Sequence, residues 1–199
     1  MRRTLIVLFL ASIAHADDWR RVVDRDGIVV ESRSVDGSAI QEVRVTAHSP
    51  LPPAAIMSTL WKPKEYVEFI PYLKRLEVLR DDGDSRLVYE QIRVPVVKDR
   101  DVTVRVTRAF SPETGWEMHS VAVPTEGPPE SSDYVRVRMM EARWRLVPDD
   151  TGTAVAYSVR TDAGPWVPAW VVNRAQRDIT AKLVRAMLDR AQESYGKGG

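Results

Sequence analysis

The sequence contains no cysteine among its 199 residues. This absence excludes disulfide bonds, thiolate metal sites, iron–sulfur clusters and a cysteine nucleophile. An excess of one charge is also missing, because 29 lysines and arginines are balanced by 28 aspartates and glutamates, a formal net charge of +1. Proteins that bind nucleic acid usually carry an excess of positive charge, so we expect no nucleic-acid partner.

Motifs that carry catalytic or metal chemistry are scarce as well. Beyond the first sixteen residues the histidines are His48 and His119, and neither lies in an H-x-x-x-H or H-E-x-x-H pattern. The sequence has no G-x-S-x-G elbow, no G-x-G-x-x-G and no Walker A motif. Asp99 and Asp101 flank Arg100, a pattern that suits an acid–base pair or, more commonly, an ion-paired turn. We therefore expect no catalytic residue, no metal and no cofactor.

The first sixteen residues have the three parts of a secretory signal peptide. Arg2-Arg3 is positively charged, the run from Leu5 to Ala14 is apolar apart from one serine, and Ala14-His15-Ala16 fits a small-x-small cleavage site. The apolar run is well short of the about 20 residues that a membrane-spanning helix needs. The sequence predicts cleavage near Ala16, a periplasmic or secreted location, and one domain over residues 17–199.

The middle of the chain alternates strand-like segments with turns. The alternation is clearest over 101–110, where Val102, Val104 and Val106 are separated by polar residues, as in a half-buried strand. Pro53 suits the first turn of a short helix over 53–60, because its missing N–H needs no partner there. The predicted strands are 28–33, 40–48, 73–79, 86–94, 101–110, 116–123, 134–147 and 153–161, with a second short helix over 64–70.

The last segment differs in character. Between Pro168 and Tyr195 there is no further proline and no glycine. Its apolar residues recur at helical spacing and predict a helix of roughly 40 Å. The predicted apolar stripe consists of Val172, Ala175, Ile179, Leu183, Met187 and Ala191. Strands followed by one long helix predict an α+β domain in which a curved antiparallel sheet wraps against the C-terminal helix.

Several tryptophans are candidates for a ligand site. Trp61, Trp116 and Trp144 suit core packing at least as well as ligand stacking. Trp166 and Trp170 lie where the long helix begins, a position that allows them to pack in the core or to act in a lid. Gly164-Pro165 at this boundary could absorb a change in backbone angles, and predicts a hinge for the terminal helix.

Four short segments follow one another along the chain in a characteristic order. The central one is a strand with Tyr89, Glu90 and Pro95, followed by Arg100-Asp101 opening the next strand. The other three are 66–72 with 76–79, Tyr134-Val135-Arg136 with Trp144 and Pro148, and 162–168 with Trp170 and Asn173. Together they resemble the START domain family, the lipid transfer domains related to the steroidogenic acute regulatory protein.

The sequence departs from the family pattern at three places. Arg138 occupies a position that is commonly acidic, and Glu141-Ala142-Arg143 replaces a small Ser-Gly type segment. Val106 occupies the position of a strand arginine that pairs with an acidic residue inside the cavity of some sterol-binding members. This last difference removes the basis for assigning a sterol specifically.

The resemblance implies a helix-grip fold with an internal apolar cavity. It implies binding of one lipid, sterol or similar hydrophobic molecule, which the protein carries within the cell envelope, as a monomer with transient membrane contact. Two other functions stay open. One is an enzyme of the cyclase or aromatase type, and the other is a structural or adaptor role, which predicts a solid core and an exposed apolar patch.

We expect the ligand to lie against the inner face of the two central strands. The alternation places Val88, Ile92 and Val94 in phase with Glu90, and Val102, Val104 and Val106 in phase with Arg100. We expect Glu90 to be neutralised by Arg100 or Arg136, or else to stay protonated through desolvation. The remaining candidate ligand-binding residues are Trp166, Trp170 and Val171.

Overall fold

The computed structural model describes residues 18–94, 97–162, 164 and 167–197. The predicted signal peptide over residues 1–16 lies outside the described residues, and so does Trp166. Within the described ranges, none of the helices combines the length and the apolar character needed to cross a membrane.

The described chain forms ten strands, three α-helices and a short 3₁₀ helix. The strands are β1 (Arg20–Arg25), β2 (Ile28–Val35), β3 (Ser38–Ser49), β4 (Leu73–Asp81), β5 (Ser85–Ile92), β6 (Arg100–Ser111), β7 (Gly115–Ala122), β8 (Val135–Arg136), β9 (Met139–Asp149) and β10 (Gly152–Asp162). The helices are α1 (Pro53–Leu60), the 3₁₀ helix (Pro63–Glu65), α2 (Tyr66–Phe69) and α3 (Ala169–Gly196).

The strands form one sheet in the order β1-β2-β3-β10-β9-β7-β6-β5-β4, with neighbours along this path antiparallel. β8 lies parallel to β6. It occupies the place beside β6 that β7 vacates, because β7 pairs with β6 only as far as Val104, whereas β8 pairs with Arg100 and Asp101. The side of β6 that faces away from β5 is therefore paired with β8 at its start and with β7 from Val104 onward.

The inner face of the sheet carries the core. Alternate residues such as Val43, Val45 and Leu146 point inward and are fully buried, and the Trp144 and Tyr157 rings pack 4.5 Å apart between centroids. α1 and α3 contact each other and cover this face over β2, β3, β9 and β10. A separate, smaller buried cluster covers the inner face of β5 and β6.

Side-chain amides attach α3 to the sheet where β3 and β10 part. The two strands pair only as far as Val43 and Val159. Beyond that point Gln176 accepts from the Thr161 backbone N–H at 3.0 Å and donates to the Gln41 carbonyl at 3.0 Å. Asn173 likewise accepts from the Gln41 N–H at 2.9 Å and donates to the Ala39 carbonyl at 3.1 Å. The helix thus supplies the hydrogen bonds that the strand ladder lacks.

The predicted architecture, a curved antiparallel sheet against a long C-terminal helix, is confirmed. Two strand predictions were incomplete. β1 was not predicted, and its six residues are exposed, so no alternation of buried residues marks it. The predicted strand over 134–147 is interrupted, because β8 pairs with β6 whereas β9 pairs with β7 and β10.

The buried stripe of α3 is rotated from the predicted one. Ala175 and Ile179 are exposed, whereas Gln176, Thr180 and Val184 are buried in their place. Hydrophobic spacing missed this face because two of its residues are polar, and Gln176 is stabilised there by the backbone hydrogen bonds of β3 and β10.

We predict that Gln176→Leu destabilises the protein by about 1–3 kcal/mol, because it leaves buried backbone groups of both strands without partners. Gln192→Leu is the matched control, since Gln192 lies on the exposed side of α3 and its replacement should change stability by less than about 0.5 kcal/mol. Urea unfolding of both variants measures the difference. Equal stability of the two would show that the Gln176 amide does not hold the helix to the sheet.

Candidate ligand-binding cavity

The inner face of β5 and β6 carries most of the residues that the sequence assigned to a ligand site. Glu90 lies opposite Val102 in the ladder, so the even-numbered side chains of both strands share this face. The buried cluster there consists of Val88, Val102, Val104 and Val137, with Ile92 and Val106 at its border.

The cavity on this face has a volume of about 60 Å³. Of the predicted site residues, Val88, Glu90 and Val106 line it. Its other walls include Leu76, Met118 and Ser120 from the sheet and Leu60, Trp61 and Tyr66 from the segment that contains α1 and α2. A cavity of this size has room for one or two water molecules at about 30 Å³ each. This volume is far smaller than that of the cavity implied by the resemblance, and Val102 and Val104 pack into the buried cluster instead of lining it.

Glu90 places a carboxyl group in this cavity. Glu90 is half-buried and lines the cavity, and burial raises the pKa of its carboxyl from 4.5 to about 7. Within the described part of the chain the carboxyl has no hydrogen bond and no ion pair. Burial, and after it the charge of Glu90, raises the pKa of Tyr66 and of Tyr157, which places the three groups close together.

Of the alternatives expected for Glu90, neutralisation by Arg136 is contradicted. Arg136 lies on the opposite face of the sheet and forms a bidentate ion pair with Asp101 at 2.9 and 2.7 Å. Both side chains are at most 3% exposed, and Tyr89 donates a further hydrogen bond to Asp101 at 3.0 Å. Asp101 and Tyr89 are odd-numbered residues of β6 and β5, so the pleat turns them away from Glu90.

Arg100 does not neutralise Glu90 either. It is buried at the start of β6, opposite Ile92, and its guanidinium donates to the Lys98 carbonyl. Burial lowers the pKa of Arg100, partly offset by the charge of Asp99. The desolvation of Glu90 is accordingly not relieved by a charge from either predicted arginine.

The outer side of β6 is buried because the loop between β7 and β8 folds over it. Arg136 donates to the carbonyls of Pro124 and Pro128 at 2.9 and 3.0 Å and so fixes this loop. Gly127 approaches Thr103 so closely that a Cβ at position 127 would lie 1.8 Å from the Thr103 hydroxyl oxygen. The Asp101–Arg136 pair therefore belongs to the fold, and the ligand-site prediction for Arg136 is corrected.

Three predictions near the ends of the site also change. Trp170 is 69% exposed and lies on the solvent side of α3, so it does not line the cavity. Val94 lies beyond the end of β5, where its backbone N–H donates to Asp99 at 3.1 Å, so the strand alternation does not reach it. Val171 is half-buried in the first turn of α3, away from the cavity lining.

A stacked tryptophan closes the cavity at the hairpin end of β5. The guanidinium groups of Arg86 and Arg108 both pack on the Trp61 ring, 4.3 and 4.4 Å from its centroid. Asp81 holds Arg86 at 2.9 Å and Asp84 holds Arg108 at 2.8 Å. Arg86 also donates to the Trp61 carbonyl at 2.7 Å. We call Trp61, Arg86 and Arg108 the tryptophan clamp.

Sequence reasoning missed the tryptophan clamp, because Trp61 follows α1 and the two arginines belong to β5 and β6. The one sign in the sequence is the period of two, which puts Arg86 and Arg108 on the same face as Val88 and Val106.

Chemically the site offers an apolar wall, one carboxyl group with a pKa near neutrality and a stacked ring. In the described residues, no group of three or more histidines, aspartates or glutamates is arranged to hold a metal ion.

Comparison with known proteins identifies the relatives of this chain. The family model described as START domain matches residues 6–196. An uncharacterized protein of Pseudomonas aeruginosa is 28% identical over 189 residues, which cover 94% of this chain and 93% of that protein.

Solved structures share the fold at low sequence identity. A STAR-related lipid transfer protein from Xanthomonas axonopodis superposes with a TM-score of 0.81 at 23% identity, covering 88% of this chain and 99% of that one. Human STARD10 superposes with a TM-score of 0.78 at 16% identity, covering 88% and 73%. The Zhui aromatase/cyclase from Streptomyces is also similar, with a TM-score of 0.52 at 15% identity over 76% and 93%.

We predict that Glu90 makes stability fall as the pH rises. Its pKa is raised to about 7 in the folded protein, so the folded state keeps a proton that the unfolded state loses near pH 4.5. The free energy of unfolding should drop by about 2–3 kcal/mol between pH 4.5 and pH 7.5, and Glu90→Gln should remove that drop.

Urea unfolding at a series of pH values checks this, with Glu77→Gln as the control. Glu77 is an exposed glutamate of the neighbouring strand β4, and its variant should keep the pH dependence of the parent protein. A Glu90→Gln variant with the same pH dependence as the parent would mean that the carboxyl is solvated.

Proposed function

The chain belongs to the START domain family, and on this premise we propose that it carries one lipid, sterol or similar hydrophobic molecule against the inner face of its sheet. Membership in the family supports binding of a hydrophobic ligand, and similar structures are lipid transfer proteins. The observation that carries the proposal for this chain is the mostly apolar cavity at Glu90, which lies between two separate core clusters.

Ligand binding on this face requires the cavity to grow. Pockets for drug-sized ligands have volumes of roughly 300–1,000 Å³, against about 60 Å³ here. The wall opposite the sheet is the segment from Leu60 to Tyr66, whose side chains close the cavity. We propose that this segment moves outward when the ligand enters, and that the tryptophan clamp opens with it.

Burying the apolar body of the ligand favours binding. The loss of translational and rotational freedom, and the release of Trp61 from its two cation–π contacts, oppose it. A carrier needs such a balance, because it must release its ligand as well as retain it.

Glu90 is the group we propose to hold the polar end of the ligand. Near neutral pH its carboxyl is divided between the protonated and the ionised form. The protonated form donates a hydrogen bond to a ligand oxygen, and the ionised form accepts one from a ligand hydroxyl. A ligand with one hydroxyl or carbonyl at the end of an apolar body therefore fits this site best.

An enzyme of the aromatase or cyclase type is the second candidate. A carboxyl group with a pKa of about 7 suits general acid–base catalysis, and an aromatase/cyclase shares the fold. The two candidates differ in the fate of the ligand, because a carrier returns it unchanged. Mass spectrometry of the ligand before and after incubation distinguishes them, and conversion that is lost in Glu90→Gln would favour the enzyme.

We further propose that the protein acts as a monomer in the cell envelope after cleavage near Ala16, with transient membrane contact. The support for export is the signal-peptide pattern of residues 1–16. The N-terminal sequence of protein purified from the periplasm would test the cleavage site.

The α3 hinge at Gly164-Pro165 stays a prediction. Gly164 has a φ of +83°, in the region that favours glycine, while Pro165 lies outside the described residues.

We predict that Val106→Trp reduces uptake of a fluorescent fatty acid, sterol or phospholipid probe at least tenfold, because the indole fills the cavity that Val106 lines. Overpacking costs about 1–3 kcal/mol, so the variant should still fold. Thr107→Trp is the matched control, since Thr107 is the next residue of β6 and is exposed. Thr107→Trp should bind like the parent, and equal binding by both variants would place the ligand elsewhere.

A further inference from the structure

A broad surface groove lies on the face of the sheet opposite the cavity. It has a volume of about 1,020 Å³ and runs across the outer side of β2, β3, β10 and β9. Trp19 and Arg20 from the N-terminal segment line it as well. The Trp19 ring packs against the guanidinium groups of Arg33 and Arg44, 4.6 and 4.3 Å from its centroid. We call this depression the outer groove.

Arginine dominates the charge of the outer groove, which contains six arginines and four acidic residues. Half of these arginines form short ion pairs with carboxylates. Those pairs are Arg33 with Glu42 at 2.7 Å, Arg44 with Glu31 at 2.8 Å and Arg145 with Glu117 at 2.7 Å. Their charge is balanced within the sheet, so any anion-binding capacity of the groove must come from the other arginines.

Arg160 is the arginine whose environment is unusual. Within the described residues its side chain has no ion pair and no hydrogen bond, and its Nε is buried without an acceptor. Glu141 lies opposite Arg160 in the ladder, but its carboxylate contacts His119 at 2.9 Å instead. Arg143 is 3.9 Å from the same carboxylate, too far for a direct hydrogen bond. On this face, Arg160 has no acceptor among the described residues, and Arg143 has only this long ion pair with Glu141.

The ladder brings these two arginines to one place. Arg143 lies directly opposite Ser158, and Arg160 is two residues further along the same strand, so all three side chains leave the same face. Opposite and diagonal residues of a sheet have Cβ atoms about 5 and 7–8 Å apart, within reach of long side chains. Both guanidinium groups and the Ser158 hydroxyl can thus donate to one small anion.

We propose that the outer groove binds a phosphate-class oxyanion through Arg143, Arg160 and Ser158. Guanidinium groups bind phosphate through paired, charge-assisted hydrogen bonds, and a tetrahedral oxyanion accepts from two arginines and a hydroxyl at once. The anion would also compensate the guanidinium charge of Arg160, which has no carboxylate partner among the described residues. This site lies on the other face of the sheet from Glu90 and does not depend on the proposed function of the cavity.

Titration with inorganic phosphate, followed by backbone amide chemical shifts of the purified protein at constant ionic strength, tests this site. We expect saturable shifts in β9 and β10 that sulfate competes for and chloride does not. Arg143→Gln and Arg160→Gln should each weaken binding about tenfold. Arg145→Gln is the matched control, because it removes the same charge from the same face while its guanidinium is already held by Glu117.

A second titration uses vesicles with and without phosphatidylglycerol. Sedimentation with the anionic vesicles alone, lost in the Arg143 and Arg160 variants, would identify a lipid headgroup as the source of the phosphate. Phosphate binding without vesicle binding would identify a soluble ligand. The proposal is overturned if wild-type protein binds neither probe, or if all three arginine variants lose binding equally, which would indicate general charge attraction only.

Discussion

A ten-stranded sheet presents more inner surface than one helix can cover, and the rest of this structure follows from that mismatch. α3 and α1 cover β2, β3, β9 and β10, where the main core lies. On the inner face of β5 and β6, Val137, Leu76 and Met140 pack beside the central valines in a second cluster, and the segment from Leu60 to Tyr66 lies opposite across the cavity. The cavity lies between the two clusters, where the packing of neither is complete.

The same mismatch explains why a carboxyl group is tolerated inside. Glu90 occupies an inward position of β5, and no charged partner relieves its desolvation. In a fully packed core such a group costs several kcal/mol, so cores rarely retain one. Here the carboxyl borders a cavity, and because its pKa is raised to about 7 it keeps its proton up to nearly neutral pH. In the proposed function, a ligand in this cavity would supply the hydrogen bond that the protein does not.

Much of the fold could be predicted, because apolar residues that recur at every second position of a strand, or at helical spacing, indicate which faces are buried. The inward positions of Val102, Val104 and Glu90 follow from that period alone. The Asp101–Arg136 pair could not be found in this way, since its partners are 35 residues apart and meet on the outer side of β6. The buried face of α3 was also missed, because Gln176 is held there by backbone groups and not by apolar contact. Cavity volume depends on how side chains of distant segments pack, which no local pattern records.

We propose that the inner face of the sheet accepts a hydrophobic molecule by displacing the segment from Leu60 to Tyr66. Native mass spectrometry of the protein after incubation with a total bacterial lipid extract is the test. We expect one bound hydrophobic molecule per protein chain, recovered unchanged after denaturation. A protein that remains free of any phospholipid, fatty acid, isoprenoid or sterol at micromolar concentration would contradict it.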